Sequence, residues 1–259
     1  MVVLVGLTGC VNPYSKWYRD TSANVASIGY TKYEGEPTVS TGAGHADVDV
    51  VREFIQGYGL IGTLSFVGPI KGPEGAIVQA KKVGAAQVIL WSRYQSTESG
   101  VMPLTAPTVS TAYSNGTVNA FSPSGGPAFG TYSGTTTVYG TETTYIPYSV
   151  SRYDQVALYF APLRRSGIGL MVKPATDEQK RAFGTNQMMQ IIAVRNGSPA
   201  FTADLLPGDL LLSIDGHSVY DLDSYHSAIA TAIAREVSVT LGRGSDRITK
   251  KLSIPAGDW

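Results

Sequence analysis

The sequence predicts two domains: an α/β, or α+β, N-terminal domain carrying a long β-ribbon, and a C-terminal domain made of a small sheet with two or three helices. Three observations carry this reading. Apolar positions alternate between strand and helix periods from Val39 to Trp91, the composition turns abruptly to Thr, Ser, Gly and Tyr at residues 96–149, and residues 163–254 are dense in helix caps and tight turns. With 259 residues, of which 43% are hydrophobic and 15% charged, the chain can bury two cores.

The first domain spans residues 36–162. Val39 to Thr41 is a short strand, Ala46 to Gln56 sets Val50, Val51, Phe54 and Ile55 near one helical face, and Leu60 to Val67 is strand-like. Pro73-Glu74 opens a second helix through Ala76, Ile77 and Ala80 to Lys82, Gly84 closes it, and Val88 to Trp91 is an apolar strand. The order is β-α-β-α-β. In the Thr/Ser/Gly/Tyr-rich stretch, Asn115-Gly116 and Ser133-Gly134 read as turn dipeptides between strand-favouring residues, so a β-ribbon projecting from the sheet is expected. Tyr153 to Phe160 returns as a sheet strand. The pair AKKVGAAQVIL and TTYIPYSVSRYDQVALYF resembles a domain of bacterial envelope proteins that sometimes precedes PDZ modules, which implies a location more than an activity.

At the N-terminus, Leu7-Thr8-Gly9-Cys10 ends an apolar run, MVVLVGLTGC, and resembles the lipobox of bacterial lipoproteins. The resemblance implies that residues 1–10 end a signal peptide and that Cys10 is lipidated to anchor the chain in a membrane. Val11 after the cysteine implies sorting to the outer membrane, facing the periplasm, with the cell surface as the alternative. No Lys or Arg precedes the run, a departure that leaves open either a true start further upstream or a buried first strand ending in a structural cysteine. Residues 11–35 read as a tether with short local structure. No other segment approaches the roughly 18 uninterrupted apolar residues of a membrane-spanning helix.

Residues 163–259 form the second domain. VRNGSPAFTADLLPGDLLLSIDGHSV resembles the core of bacterial PDZ domains of the HtrA-associated type. Ser198 caps a short helix with Pro199 at its first position, Pro207-Gly208-Asp209 turns, Leu210 to Ile214 is a strand, and Asp215-Gly216 makes a tight hairpin. Where this family usually has Gly, Asp204 stands, a residue that tolerates the left-handed conformation better than most. Thr176 to Phe183, capped by Thr176 and closed by Gly184, resembles the extra helix of these modules, and Val237 to Leu241 with Ile248 to Ile254 complete the sheet. The resemblance implies a β-sandwich or partly open barrel.

Gly167-Ile168-Gly169-Leu170 matches the loop by which PDZ domains hold a terminal carboxylate, since glycine lets successive backbone N–H groups face one anion. Ser224 to Ala234 is helical, with Tyr225, Ile229 and Ile233 on one face. Tyr225 and Ile229 are the expected groove residues beside that loop, although the same spacing serves plain core packing. A β-branched residue at position 169 is expected to block the loop without unfolding the domain. The partner is then a protein C-terminus or extended segment, bound by strand addition. The alternative is a structural subunit whose PDZ fold packs against a partner without holding a peptide, favoured if Met171, Tyr225 or a neighbouring chain closes the groove.

Other chemistries find little support. Ser124-Gly125-Gly126-Pro127 matches part of the nucleophile loop of trypsin-like proteases, and His45, Asp47 or Asp49, and Ser124 occur in the required order. The β-α-β pattern leaves no double barrel, however, and Ser-Gly-Gly in a low-complexity ribbon is ordinary turn chemistry. The expectation is no enzyme. His45, His217 and His226 stand apart without ligand spacing, the one cysteine builds no metal site, and no phosphate-loop motif occurs, so neither metal nor cofactor is expected. Twenty basic residues balance twenty acidic ones with no cationic stripe, which argues against nucleic acid.

Overall fold

Residues with strand periodicity next to helices with one apolar face must stack in layers, and the N-terminal residues do so around one sheet. The computed structural model describes residues 12–26, 28–121, 123–165 and 167–256. In chain order it begins with α1 (Pro13–Lys16), β1 (Arg19–Asp20), a 3₁₀ turn at Ser22–Val25, β2 (Thr38–Thr41), α2 (Ala46–Ile55), β3 (Tyr58–Gly68) and α3 (Glu74–Val83). Two long strands follow, β4 (Gln87–Phe121) and β5 (Pro127–Pro162). The sheet order is β1-β3-β5-β4-β2, with β2 parallel to β4 and the pairs β1–β3 and β3–β5 antiparallel.

The helices end where the sequence says they should. Gly84, with φ 75°, closes α3 in the left-handed conformation, and its N–H donates to the Ala80 carbonyl. Ala76 and Ala80 of α3 lie fully buried against Ile61, Leu64, Val88 and Tyr159 of the sheet. Residues 12–26, expected as a tether, are instead packed on this layer. Asn12 Nδ2 donates to the Gly75 carbonyl at 2.8 Å, Ser15 Oγ donates to Gln79 at 2.7 Å, and buried Tyr14 meets Phe66 edge to face at 5.6 Å. The polar residues that suggested a solvated linker are thus the partners of α3.

The C-terminal elements are β6 (Leu170–Pro174), α4 (Asp177–Phe183), β7 (Met189–Val194), α5 (Pro199–Thr202), β8 (Leu210–Ile214), β9 (His217–Ser218), α6 (Leu222–Ala232), β10 (Arg235–Arg243) and β11 (Asp246–Ile254). Their sheet runs β11-β10-β8-β7-β6, leaving β6 at an edge. Thr176 and Gln179 form a reciprocal capping box on α4, and Gly184 ends it. Asp215 and Gly216, with φ 51° and 81°, make the tight hairpin between β8 and β9. α6 starts two residues earlier than expected because Asp221 is its cap and Ser224 the third residue of a second capping box. Val237, Val239, Leu211, Ile214, Ile191 and Ala228 are among the buried residues of one core between sheet and helices.

Residues 96–152 form a separate unit, a two-stranded ribbon made of the distal parts of β4 and β5. Hydroxyl pairs Thr97–Ser151 at 3.2 Å, Ser99–Ser149 at 3.3 Å and Thr105–Thr143 at 3.0 Å mark an antiparallel register. The expected turns at Asn115-Gly116 and Ser133-Gly134 do not form, and the chain reverses once, around residues 123–126. Tyr132 lies over Gly116 and Tyr148 over Gly100: a Cβ on either glycine would come within 3 Å of the facing ring. These glycines serve close cross-strand aromatic packing in mid-strand.

Candidate functional site

The loop before β6 is held by the short helix behind it. Gly167 and Gly169 have φ 71° and 82°, while Ile168 between them stays out of the left-handed region, an alternation that turns successive amides toward one side. Ile168 is buried in the domain core, and its carbonyl accepts from the Ala200 N–H at 3.1 Å. Among the described residues no acceptor is bonded to the amides of Ile168 and Gly169. Two donors therefore remain at the mouth of the groove. A Cβ on Gly169 would lie 2.2 Å from that of Ser198, which is itself buried and caps α5 by accepting from the Phe201 N–H. Gly169 is therefore required by the fold itself, and the expectation that a β-branched residue there leaves the domain folded is corrected.

β6 presents its free backbone to α6. The Arg195 N–H donates to the Gly169 carbonyl at 2.9 Å, and Leu170 pairs opposite Val194. In an antiparallel ladder that places the amide and carbonyl of Leu170 on the side away from β7. The Tyr225 hydroxyl, rising from α6, donates to this Leu170 carbonyl at 3.3 Å. Burial pushes the Tyr225 phenol well above its ordinary range, and Arg195 nearby opposes that shift, so the group remains a hydrogen-bond donor. Met171, the residue that could have filled the groove, packs on a cluster of Phe54, Leu163 and Ala193 and lines the cleft without closing it.

The six residues expected at the site, Gly167, Ile168, Gly169, Leu170, Tyr225 and Ile229, all line one cleft of about 530 Å³. Ile233 lines it too, and the sequence reading missed others, among them Arg195, Leu222 and His226 from this domain and Val25, Val50 and Phe54 from the N-terminal layer. Arg195 is almost fully buried, and its Nη1 donates to the Arg164 carbonyl at 2.8 Å. A guanidinium so placed beside two backbone donors suits a carboxylate. An arginine closing an apolar strand was its only sequence signal. The N-terminal wall is fixed through Asn196, whose N–H donates to the Ile55 carbonyl at 3.0 Å.

The turn below the loop is braced electrostatically. Asp204 adopts φ 59°, the left-handed conformation expected of it. Asp209, nearly fully buried, accepts from the Leu206 N–H at 2.9 Å and takes Arg243 on both oxygens, at 2.8 and 2.7 Å. These contacts hold Arg243 firmly protonated, and its Nη2 also donates to the Asp204 carbonyl.

Cys10 lies outside the described residues. Ser124 sits in the exposed turn of the ribbon. His45 occupies the N-cap of α2 without a side-chain cap bond, while Asp49, fully buried, accepts from the Ala43 N–H and pairs with Arg52 at 2.9 Å. Asp49 thus orders the loop before α2. Among the described residues no group of three or more His, Cys, Asp or Glu is placed to hold a metal ion.

The family model of the PDZ domain matches residues 166–254. Among solved structures the chain is similar to the HtrA-type protease AlgW with a decapeptide, at 20% identity and TM-score 0.30, over 38% of this chain and 36% of that one. It is similar also to AlgW with a tripeptide, at 19% identity and TM-score 0.30, over 38% and 39% of the two chains. A third is the HtrA3 PDZ domain bound to a phage-derived ligand, FGRWV, at 17% identity and TM-score 0.29, over 33% of this chain and 81% of that one. The chain spans little more than a third of the protease chains it matches. No curated protein matches it. Residues 166–254 of this chain are a PDZ domain.

Proposed function

We propose that this chain is a non-enzymatic lipoprotein of the bacterial cell envelope whose PDZ domain takes protein C-termini or extended segments, as an adaptor or assembly factor. One observation carries the binding reading: the edge strand β6 faces α6 within a cleft at whose mouth the Ile168 and Gly169 amides have no acceptor among the described residues. An extended segment added to β6 gains backbone pairing along the strand, while Ile229 and its neighbours meet its side chains. Affinity is set near the micromolar range, about −8 kcal/mol, because the segment loses conformational freedom on docking.

The test is a library of free C-terminal peptides titrated against the full chain, beside amidated copies. The full chain is needed because one wall of the cleft is N-terminal. Amidation weakens binding roughly tenfold if the loop holds a carboxylate. Equal binding of both forms means internal segments are read by strand addition alone, and absence of binding overturns the proposal. The lipoprotein part rests on the Leu7 to Cys10 motif. Cys10→Ser then releases the protein from membranes, whereas an unmodified, uncleaved N-terminus in native protein refutes it.

A second reading, a structural subunit whose PDZ fold packs without a peptide, is favoured by the Tyr225–Leu170 hydrogen bond, which occupies the first outward carbonyl of β6.

A further inference from the structure

Among its described residues the ribbon of 96–152 buries no side chain. Beyond residue 95 of β4 and before residue 153 of β5, neither strand pairs with β2 or β3. Tyr113, Phe121, Phe129 and Tyr139 are 80%, 84%, 79% and 80% exposed. A lone two-stranded ribbon is marginal in water, and its outer edges present rows of unpaired N–H and C=O groups.

The two edges differ along their length. Pro103, Pro107 and Pro147 all stand at odd-numbered positions, as do the closely paired hydroxyls of Thr97–Ser151, Ser99–Ser149 and Thr105–Thr143. Proline is tolerated where the N–H faces away from the partner strand, and close side-chain pairs mark the non-hydrogen-bonded positions. Odd residues therefore send their backbone groups outward. Prolines blunt that edge near the base, whereas Val109–Phe121 and Ala128–Tyr139 contain none. From Ser99 to Thr141 there is also no Asp, Glu, Lys, Arg or His. Charge and proline are the usual guards of an exposed edge, and the distal half lacks both.

We propose that this distal half is a self-assembly element, pairing edge to edge with the ribbons of further copies of this chain to close a ring of antiparallel strands. The chemistry favours a second copy over a foreign strand. Each ribbon carries one edge of each direction, so copies pointing the same way set β5 of one against β4 of the next in antiparallel sense, with an even strand number at any ring size. Thirteen residues at about 3.4 Å each, in a sheet about 10 Å thick, bury about 900 Å² in total per edge contact. One such contact falls short of the roughly 1,200–2,000 Å² of a stable interface, whereas the two made by each copy in a ring reach about 1,800 Å². Closure is thereby favoured over an open pair.

The experiment is sedimentation equilibrium of the full chain at micromolar concentration, with two variants that remove outward N–H groups while sparing bonds inside the ribbon. One carries Thr111→Pro with Thr117→Pro on the β4 edge, the other Thr131→Pro with Thr137→Pro on the β5 edge. The wild type sediments at several times the monomer mass and each variant alone at the monomer mass, while their mixture rises toward twice it only well above micromolar concentration, because each keeps the edge the other lost but a single contact is too small for a tight pair. Circular dichroism of the variants matches the wild type. A monomeric wild type, assembly that survives in both variants, or a mixture that fails to pair overturns the proposal.

Discussion

Tyr225→Phe separates the two readings of the groove because it removes one hydrogen bond and nothing else. The ring stays, so the packing of Tyr225 on the core persists, while the Leu170 carbonyl loses its donor at 3.3 Å. Such a bond contributes about 1 kcal/mol net to stability, and the freed carbonyl opens onto the cleft, where water can reach it. The loss is therefore expected near 1 kcal/mol, with no large penalty for a stranded acceptor. Peptide binding should move in the opposite direction. A strand added to β6 needs the Leu170 carbonyl, so in the wild type it must first displace the tyrosine hydroxyl. Without that competition affinity should rise by up to about fivefold, the equivalent of about 1 kcal/mol. Denaturant unfolding of the full chain measures the first effect, and fluorescence polarisation with the best free C-terminal peptide measures the second. If Tyr225→Phe weakens peptide binding and leaves stability unchanged, the hydroxyl serves the ligand and the reasoning fails.

Three further outcomes follow from the geometry. Gly169→Val should destabilise the PDZ domain by roughly 3 kcal/mol or more, seen in denaturant unfolding, because it adds left-handed strain at φ 82° to a collision with Ser198. Asp209→Ala should cost about 2–3 kcal/mol in the same assay, at or below the low end for a broken buried pair, because Arg243 is 33% exposed and regains water while the Leu206 amide loses its acceptor. Burial, then Asp20 and Tyr30, push the Tyr18 phenol up to about 12, so the folded state keeps a proton that an unfolded phenol near 10.0 gives up. Stability should then fall as pH rises from about 10 toward 12, and Tyr18→Phe should flatten that fall in pH-dependent unfolding.

The PDZ domain was legible because its determinants are local. Ser198, Pro199, Asp215, Gly216, Thr176 and Gly184 each fix backbone within a few residues of themselves, and the structure places a cap, turn or helix end at each. Errors arose where one residue type serves two purposes. Gly116 and Gly134 carry turn chemistry in isolation, but Gly116 gives room to Tyr132 on the facing strand, a relation visible only once the register is known. Ser224 was read as the start of a helix, whereas its side chain serves as the second half of a box begun by Asp221. Polar residues 12–26 resemble a linker until α3 supplies their partners. The far wall of the cleft was out of reach for the same reason, since nothing near Val25 or Phe54 in sequence points to a loop more than a hundred residues away.

That far wall changes what the groove can select. An extended segment beside β6 turns alternate side chains to opposite faces. In a free-standing module one set would meet the helix and the other would point to water. Here that side of the cleft is lined by Val25, Ile28, Val50 and Phe54, with Asn196 bonded to Ile55 beside them and Met171 packed on the cluster that includes Phe54. For a peptide bound along β6 as proposed, apolar residues at successive positions are therefore expected to be favoured, where a solvent-facing position would be indifferent. The same wall limits ligand bulk, because the cleft is close in size to a few side chains and its sides belong to one packed unit. Val50→Ala should then relax any preference for apolar residues at alternate ligand positions while leaving the loss on amidation unchanged, both read from the same peptide library.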